Sequence, residues 1–244
     1  MPVVMLPAYN EEQDLPELLK ALFEKQSGFL TPLQVVLVDD GSSDSTIEVA
    51  EAFKDHLQLE ILKHPVNQGL GAALNTGIKH ILKNYQGIMV IMDSDNTHDP
   101  CHIPELEKAI QSGYDLAIAS RFVKGAQVIG VPFYRRILSN GASWLLRLSF
   151  PYKGVKDYSS GFRAYSIKRL KDALKSRGLD EFKLSRGFES MLELLLILRA
   201  AGLNATEVPL VLRYDLKQGE SKMPVFTTVF RYLKLIARGK AFGR

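Results

Sequence analysis

Short apolar runs alternate with helix-like segments through the first half of the chain. Between the runs, apolar residues recur at helical spacing, as in 15–23 and 69–82. The runs are Val3–Leu6, Val35–Val38, Leu59–Leu62, Ile88–Met92 and Leu116–Ala119. Val35–Val38 is a continuous, largely β-branched run, which is typical of a parallel sheet covered on both faces. This order predicts an α/β fold with a mostly parallel sheet and right-handed crossovers.

The second half has a different pattern. Phe133–Phe150 is amphipathic, Asp157–Tyr165 is turn-rich and then extended, and Gly187–Ala201 is a leucine-rich helix. Thr206–Arg213 is predicted as one further strand, and Val225–Arg238 as a basic amphipathic helix. Because there is no linker-like stretch or internal repeat, we interpret residues 1–244 as a single domain with a basic tail at 225–244.

Composition narrows the class of protein. The 244 residues are 46% hydrophobic and 24% charged, which is typical of a globular chain and excludes disorder. The single cysteine, Cys101, excludes an internal disulfide framework and fits a reducing compartment. Met1–Leu6 lacks the features of a signal peptide, and no apolar run of about 18 residues predicts a membrane span. The net charge of +4 permits an anionic partner without identifying one, and we expect no nucleic-acid partner.

Polar clusters follow the predicted strands where open α/β sheets place their ligands. We therefore expect one edge of the sheet to gather the clusters Pro7/Tyr9/Glu11, Asp39/Asp40 and Asp93/Asp95 together with Arg121. The two carboxylates of Asp93-Ser94-Asp95 can share a divalent cation that neutralises a diphosphate. An isolated Asp-x-Asp is more often a solvated turn, but the buried strand before it and the second acidic pair favour a functional interpretation.

Two other motif interpretations are weaker. Asp93–Thr97 matches the Asp-x-Asp-x-Thr motif of haloacid-dehalogenase-type phosphatases, but there the motif follows the first strand, and here it follows the fourth. Gly69–Leu74 fails the dinucleotide-binding fingerprint because Leu74 replaces the third glycine. Its small residues instead predict a helix that packs close to a ligand or to the sheet.

Taken together, the motifs resemble a known family. Pro7–Glu12, Asp39–Asp44, Asn67–Gly71 and Asp93–Asp95 occur in the order found in family 2 inverting glycosyltransferases, which have the GT-A fold. Downstream segments resemble the dolichyl/polyprenyl-phosphate mannosyltransferase branch: Ser120–Phe122, Arg135-Arg136, Tyr158–Tyr165 and Gly219–Lys222. The resemblance covers nearly the whole chain and divides it into a nucleotide-sugar half, 1–122, and an acceptor half, 123–224.

The resemblance implies roles for individual residues. Pro7, Tyr9 and Glu11 would hold the base and ribose of the donor, with Val38 and Asp40 lining the same pocket. Asp93, Ser94 and Asp95 would bind the diphosphate, and the two carboxylates would hold Mg²⁺ or Mn²⁺ as cofactor. Thr97 stands where some relatives have a metal-assisting Gln. Four residues match positions that face donor or acceptor phosphates: Arg121, Arg135, Arg213 and Lys222. The expected catalytic residues are Asp95, Arg121 and Arg135.

The acceptor can also be considered chemically. A sugar hydroxyl needs a general base, and we find no acidic pair of the usual kind between residues 121 and 189. A phosphate monoester is mostly a dianion at neutral pH and needs cationic side chains instead. Arg121, Arg135 and Arg136 are the candidates, although Arg135 and Arg136 also fit a solvated helix face. Asp157 and Glu189 are the alternative bases, and Glu189 could simply stabilise a helix N-terminus.

We therefore expect mannose transfer from GDP-mannose to polyprenyl phosphate. The alternatives are a UDP-glucose or UDP-aminosugar donor, a hydroxyl acceptor, or a non-catalytic nucleotide-binding module. A lipid acceptor implies peripheral contact with the cytoplasmic face of a membrane, through Phe133–Phe150 and the basic tail. Packing of Phe133–Phe150 against the protein's own core is the competing interpretation, and the sequence leaves open a separate membrane-anchoring subunit.

Overall fold

A computed structural model describes residues 2–28, 33–175, 178, 182–219 and 225–237. The strands are β1 Pro2–Ala8, β2 Gln34–Asp39, β3 Gln58–Lys63, β4 Ile88–Ile91, β5 Leu116–Ser120, β6 Gln127–Ile129, β7 Arg163–Ser166, β8 Ala205–Pro209 and β9 Val211–Arg213. The helices are α1 Leu15–Lys25, α2 Thr46–Glu51, α3 Leu70–Asn84, α4 Ile103–Gln111, α5 Phe133–Ser149, α6 Ile167–Lys175, α7 Glu189–Ala200 and α8 Val225–Ala237.

Seven strands form the central sheet, in the order β3-β2-β1-β4-β7-β5-β8. All neighbouring pairs are parallel except those of β7, which runs antiparallel to both β4 and β5. The prediction of an α/β fold with a mostly parallel sheet is confirmed. The chain moves outward from β1 to β2 and β3, and then returns to place β4 on the other side of β1. Ligands of open α/β sheets bind at such a reversal, beyond the carboxyl ends of the strands.

Both faces of the sheet are covered. Val3 and Met5 of β1 point into one core with α3, α6 and α7, whereas Val4 and Leu6 point into a second core with α1 and α4. Burial on both faces explains why these strands are continuously apolar. The well-packed strands hold the polar turns that follow them in fixed positions at the sheet edge.

One predicted strand was wrong. Thr206–Arg213 is divided into β8, which pairs with β5, and β9, which pairs with β6 in a separate two-stranded sheet. Pro209 lies at the division opposite Ser120, and a proline has no N–H to continue a ladder. Leu210 then donates its backbone N–H to the Ser120 carbonyl at 3.0 Å, and the chain turns away. The division carries β9 toward the sheet edge where β4 ends.

Helix α3 packs closely on two neighbours, as its small residues predict. A Cβ atom at Gly71 would lie 1.7 Å from the Ser185 carbonyl oxygen, and one at Gly77 would lie 2.4 Å from Met5 Sδ. Gly69, which precedes the helix, has a φ of +94°, a conformation that favours glycine. The start of α3 therefore approaches the segment before α7 as well as the sheet.

Within these described ranges, no helix is both long enough and apolar enough to cross a membrane.

Candidate active site

Two cavities meet at the carboxyl end of β4. The larger has a volume of about 470 Å³, and the smaller has a volume of about 230 Å³. Four side chains line both of them: Leu70, Asp93, Asp95 and Phe188. The carboxylate pair therefore lies where a molecule in one cavity would meet a molecule in the other.

The larger cavity brings together most of the residues predicted for the nucleotide sugar. Its walls include Pro7, Tyr9, Glu11, Asp40, Asp93, Ser94 and Asp95. The end of β1 and the turn after it supply the first three, and the turn after β4 supplies the last three. Ser94 is fixed because its hydroxyl donates to the Pro7 carbonyl at 2.9 Å. This bond ties the two turns together across the reversal point of the sheet.

Asp40 organises the wall of the larger cavity. Its Oδ1 accepts from Gln68 N at 3.0 Å and lies 2.7 Å from His64 Nδ1. Its Oδ2 accepts from Gly69 N at 2.7 Å. The carboxylate thus holds the loop before α3, in addition to lining the cavity. Asp39 instead accepts from Ser42 N and lines neither cavity.

Val38, predicted to line the pocket of the base and ribose, does not line the larger cavity. Its side chain is fully buried within the core on the Met5 side of the sheet. The reason is the alternation of a strand, in which successive side chains point to opposite faces, and Val38 points to the face that α3 covers. Asp40, which follows β2, is free of this constraint and reaches the cavity.

Asp95 is held by two neighbours. Thr97 donates to Asp95 Oδ1 from its hydroxyl at 2.7 Å and from its backbone N–H at 3.2 Å. Lys217 Nζ lies 2.6 Å from Asp95 Oδ2, with 7% of the lysine side chain exposed. Thr97 lines the smaller cavity and positions Asp95. Its hydroxyl donates to that carboxylate and so fixes the orientation of Asp95.

Asp93 has fewer partners than Asp95. Its backbone N–H donates to His98 Nδ1 at 3.2 Å, and its Oδ2 lies 3.9 Å from the same nitrogen. Over the described part of the chain, no hydrogen bond reaches its carboxylate oxygens. A Cβ at Gly161 would lie 3.0 Å from Asp93 Oδ1, so the glycine keeps space beside this carboxylate.

The two acids are electrostatically different. Burial raises the pKa of Asp93, with a further contribution from the Asp95 carboxylate, while His98 opposes the increase. Burial acts in the same direction on Asp95, but Lys217 and His98 outweigh it and lower the pKa of Asp95. Burial disfavours the charged form of Lys217, yet the Asp95 carboxylate raises the pKa of Lys217. The adjacent carboxylates therefore depend on nearby positive charge.

The two carboxylates fit a divalent cation whose remaining coordination positions are filled by substrate phosphates and water. In the parts of the chain that are described, no group of three or more His, Cys, Asp or Glu side chains could hold a metal alone. Mg²⁺ is commonly bound by one or two carboxylates together with substrate phosphates and water. Asp93 and Asp95 provide such a pair, and the Asp93 oxygens face the space beside Gly161.

Arg121 lies in the smaller cavity but is already paired. It donates to Asp157 from Nε at 2.8 Å and from Nη2 at 2.7 Å, and its Nη1 donates to Ser139 at 3.2 Å. Asp157 is fully buried and also accepts from the backbone of Ser159 and Ser160. Burial opposes both charges, but the mutual attraction lowers the pKa of Asp157 and raises that of Arg121. The pair fixes the guanidinium against one wall of the cavity.

The two alternative bases are placed away from the smaller cavity. Asp157 lies behind Arg121, and Glu189, the first residue of α7, pairs with Arg231 at 3.1 Å. Neither lines a cavity. The carboxylates that line the smaller cavity, among residues whose positions are described, are Asp93 and Asp95. The rest of its polar lining is made by hydroxyls, His98 and Arg121.

Two of the other predicted cations, Arg136 and Arg213, are not brought to the cavities. Arg136 is exposed on α5, and Arg213 pairs with Asp215 at 2.9 Å; neither lines a cavity. Arg136 lies on a helix that is largely exposed to solvent, and Arg213 is held by a carboxylate two residues away. The side chain of Arg135 and all of Lys222 lie outside the described residues.

Three cations in the larger cavity were missed by sequence reasoning: Arg186, Lys217 and Arg231. Arg186 donates to the Asn67 carbonyl at 3.2 Å, which ties the segment before α7 to the loop before α3. Each of the three comes from a different segment of the second half, without a strand-end motif to mark it.

Sequence comparison relates the chain to named proteins. Residues 3–174 match the family model described as Glycosyl transferase family 2. Over 96% of its length, the chain is 33% identical to a dolichol-phosphate mannosyltransferase of Pyrococcus furiosus, and it spans only 62% of that relative. It is 30% identical over 91% of its length to a polyprenol monophosphomannose synthase of Mycolicibacterium smegmatis, covering 80% of that protein.

Solved structures share the fold. A glucosyl-3-phosphoglycerate synthase from Mycobacterium tuberculosis, in complex with Mn²⁺, UDP-glucose and phosphoglyceric acid, aligns with a TM-score of 0.71 at 22% identity. The alignment covers 98% of this chain and 79% of that one. TarS of S. aureus, in complex with UDP-GlcNAc, aligns with a TM-score of 0.64 at 17% identity over 97% and 65% of the two chains. At these identities the similarity shows the fold alone.

Proposed function

Since this chain belongs to glycosyl transferase family 2 and is a glycosyltransferase of the GT-A fold, we propose that it transfers mannose from GDP-mannose to a polyprenyl (dolichyl-type) phosphate. The larger cavity would hold the donor and the smaller cavity the acceptor phosphate. Two relatives whose names specify dolichol-phosphate or polyprenol-phosphate mannose synthesis support the choice of sugar and lipid.

The observation that carries the proposal is the lining of the smaller cavity. A hydroxyl acceptor needs a base to take its proton, and the carboxylates described along this cavity are only the Asp93/Asp95 pair. A phosphate monoester, with a second pKa of about 6, arrives already ionised at neutral pH. Arg121 and the hydroxyls of Ser139 and Ser159 offer it hydrogen-bond donors. The cavity therefore suits an acceptor that needs no deprotonation.

The larger cavity suits a nucleoside diphosphate. Tyr9 and Glu11 lie on the wall formed by the turn after β1, on the side where the base and ribose would sit. Arg186, Lys217 and Arg231 supply positive charge to the same cavity. Arginine forks match the oxygens of a diphosphate well, and a lysine ammonium provides a compact point charge.

The reaction would be a single in-line displacement with inversion. An oxygen of the lipid phosphate attacks the anomeric carbon from the smaller cavity, and a new C–O bond forms. The bond from that carbon to the diphosphate oxygen breaks on the opposite side, and GDP leaves with the electron pair. Bound at Asp93 and Asp95, Mg²⁺ or Mn²⁺ would supply positive charge beside the leaving diphosphate. Arg121, held rigid by Asp157, would orient the attacking phosphate.

An exposed apolar surface supports membrane contact. Helices α5 and α8 pack against each other and turn large apolar side chains to solvent, including Phe133 at 76% exposure, Trp144 at 63% and Phe230 at 66%. Trp144 is thus not packed into the core. Exposed aromatic residues beside Arg and Lys are typical of helices that lie in the headgroup region of a bilayer. We propose that this surface brings the smaller cavity to the lipid acceptor, through peripheral association with the membrane.

The test is a donor comparison. Purified protein, Mn²⁺ and liposomes containing polyprenyl phosphate are incubated with radiolabelled GDP-mannose or UDP-glucose, and label in the organic phase is counted. We expect transfer from GDP-mannose. Transfer from UDP-glucose alone would overturn the donor assignment, and nucleotide binding without transfer to lipid phosphate would favour a non-catalytic module.

A further inference from the structure

Lys217 occupies an unusual place in the candidate metal site. Its ammonium lies 2.6 Å from Asp95 Oδ2, and only 7% of its side chain is exposed. The other Asp95 oxygen, Oδ1, accepts from Thr97. Both oxygens of this carboxylate are therefore engaged, and the partner on the Oδ2 side is a cation.

The lysine is held in place by its own loop. The two residues that follow it donate their backbone N–H groups to Asp14, Gln218 to Oδ1 at 2.7 Å and Gly219 to Oδ2 at 2.9 Å. Asp14 is buried, at the start of α1. The ion pair with Asp95 thus joins a loop anchored on α1 to the turn after β4.

We propose that Lys217 is an internal counter-cation of the carboxylate pair, which a divalent metal must displace from Asp95 Oδ2 in order to bind. This inference rests on the proposed metal site at Asp93 and Asp95. The geometry supports it because both Asp95 oxygens already have close partners, the ammonium at 2.6 Å from Oδ2 and the Thr97 hydroxyl at 2.7 Å from Oδ1, and a metal at Oδ2 would lie beside a like charge. The lysine's charge also repels an incoming cation at short range in a poorly solvated site.

The arrangement has a use when metal is absent. Two carboxylates separated by one residue repel each other, and Asp93 has few partners of its own. Lys217 offsets part of that repulsion, and its contact with Oδ2 holds the Asp95 carboxylate at the cavity junction. The displaced ammonium would remain on the wall of the larger cavity, where the diphosphate is proposed to bind.

The test compares metal affinities without nucleotide. Mn²⁺ binding is measured by electron paramagnetic resonance of free Mn²⁺ for the wild type, Lys217→Met and Lys217→Arg at one fixed pH. Methionine keeps a similar side-chain length without the charge, so we expect at least tenfold tighter Mn²⁺ binding. Arginine keeps the charge, so we expect an affinity close to that of the wild type. Lys25→Met, which removes the surface pair with Asp99, is the matched control and should change nothing.

A thermal-shift measurement gives a second readout. A ligand that binds only the folded state stabilises it more as the ratio of its free concentration to its Kd increases. At one Mn²⁺ concentration, the rise in Tm should therefore be larger for Lys217→Met than for the wild type. Equal or weaker Mn²⁺ binding by Lys217→Met than by the wild type would overturn the inference and leave the metal site standing. If neither protein binds Mn²⁺, the metal assignment in the proposed function fails as well.

Discussion

The two cavities are built in different ways, although they share one carboxylate pair. The larger cavity takes its acidic wall from the turns that directly follow β1, β2 and β4, where adjacent strands fix the turns at the sheet edge. The smaller cavity is formed by α5, α7, α8, β9 and the loop of residues 159–161, which come together only through tertiary packing. The acidic side of the site is thus set by local chain geometry, whereas its cations come from distant segments.

The two cavities also differ in the groups that pair with their charged side chains. In the larger cavity, Asp40 is satisfied by backbone N–H groups of a neighbouring loop. In the smaller cavity, Arg121 is satisfied by a fully buried carboxylate 36 residues away. A backbone partner survives most substitutions, but a side-chain partner is lost by a single one. The smaller cavity should therefore be the more sensitive to mutations outside its lining.

The largest effect is expected at the shared carboxylates, where the two cavities meet. Asp95→Asn removes a charge from the metal site, and we expect transfer to fall about 10⁴-fold, equal to roughly 5.4 kcal/mol of transition-state stabilisation. The measurement is label transfer to polyprenyl phosphate in liposomes with Mn²⁺. Asp99→Asn, which changes a nearby acid that lines neither cavity, is the control. Near-normal transfer by Asp95→Asn would remove Asp95 from the mechanism.

The next largest effect is expected on stability, at the buried ion pair behind the smaller cavity. Asp157→Asn leaves the Arg121 charge without its buried partner, and we expect the free energy of unfolding to fall by about 3–5 kcal/mol. Denaturant unfolding measures it, and adding Arg121→Met should recover part of the loss. Arg169→Met, which breaks a more exposed pair with Asp115, should cost less than about 1 kcal/mol. If Asp157→Asn also costs less than about 1 kcal/mol, the Arg121–Asp157 pair does not stabilise the wall of the smaller cavity.

The same pair should give acid sensitivity. The pKa of Asp157 is lowered in the folded state, so its contribution to stability is present above the ordinary aspartate value of about 3.9 and is lost as pH falls through the lowered value. The difference in unfolding free energy between the wild type and Asp157→Asn should thus be constant near neutrality and shrink below about pH 4. A difference that instead changes between pH 6 and pH 8 would contradict the assignment.

A smaller effect is expected for cations of the larger cavity. Arg231→Met removes one donor facing the proposed diphosphate, and we expect the KM for GDP-mannose to rise about tenfold, equal to roughly 1.4 kcal/mol. Steady-state kinetics at saturating lipid acceptor measure it. Arg136→Met, an exposed arginine on neighbouring α5, is the matched control and should leave KM unchanged. The reverse result would place the arginine of α5, rather than that of α8, in the donor site.

The smallest effect concerns the apolar surface that adjoins the smaller cavity. Trp144→Ser should weaken pelleting with liposomes about three- to fivefold, because one partly inserted aromatic side chain is lost. Phe23→Ser, on α1, changes an exposed aromatic residue of another element and should have no effect. Equal losses in the two variants would indicate that α5 has no special part in membrane contact.

The same contrast explains what could be predicted from the sequence. The α/β fold followed from apolar runs, because strand burial is a local pattern, and the acidic turns followed from their position after those runs. Val38 was misplaced because motif spacing does not say which face a side chain takes. Lys217 and Arg231 could not be found because no local pattern records which distant loop or helix face will reach the sheet edge.

The central claim is that the smaller cavity receives an acceptor that is already ionised. It is tested most directly by comparing transfer from GDP-mannose to polyprenyl phosphate and to the corresponding free polyprenol, in the same liposomes with Mn²⁺ at pH 7.5. We predict transfer to the phosphate, with at least a 100-fold lower rate for the alcohol, which would need a general base. Comparable rates for both acceptors would contradict the account.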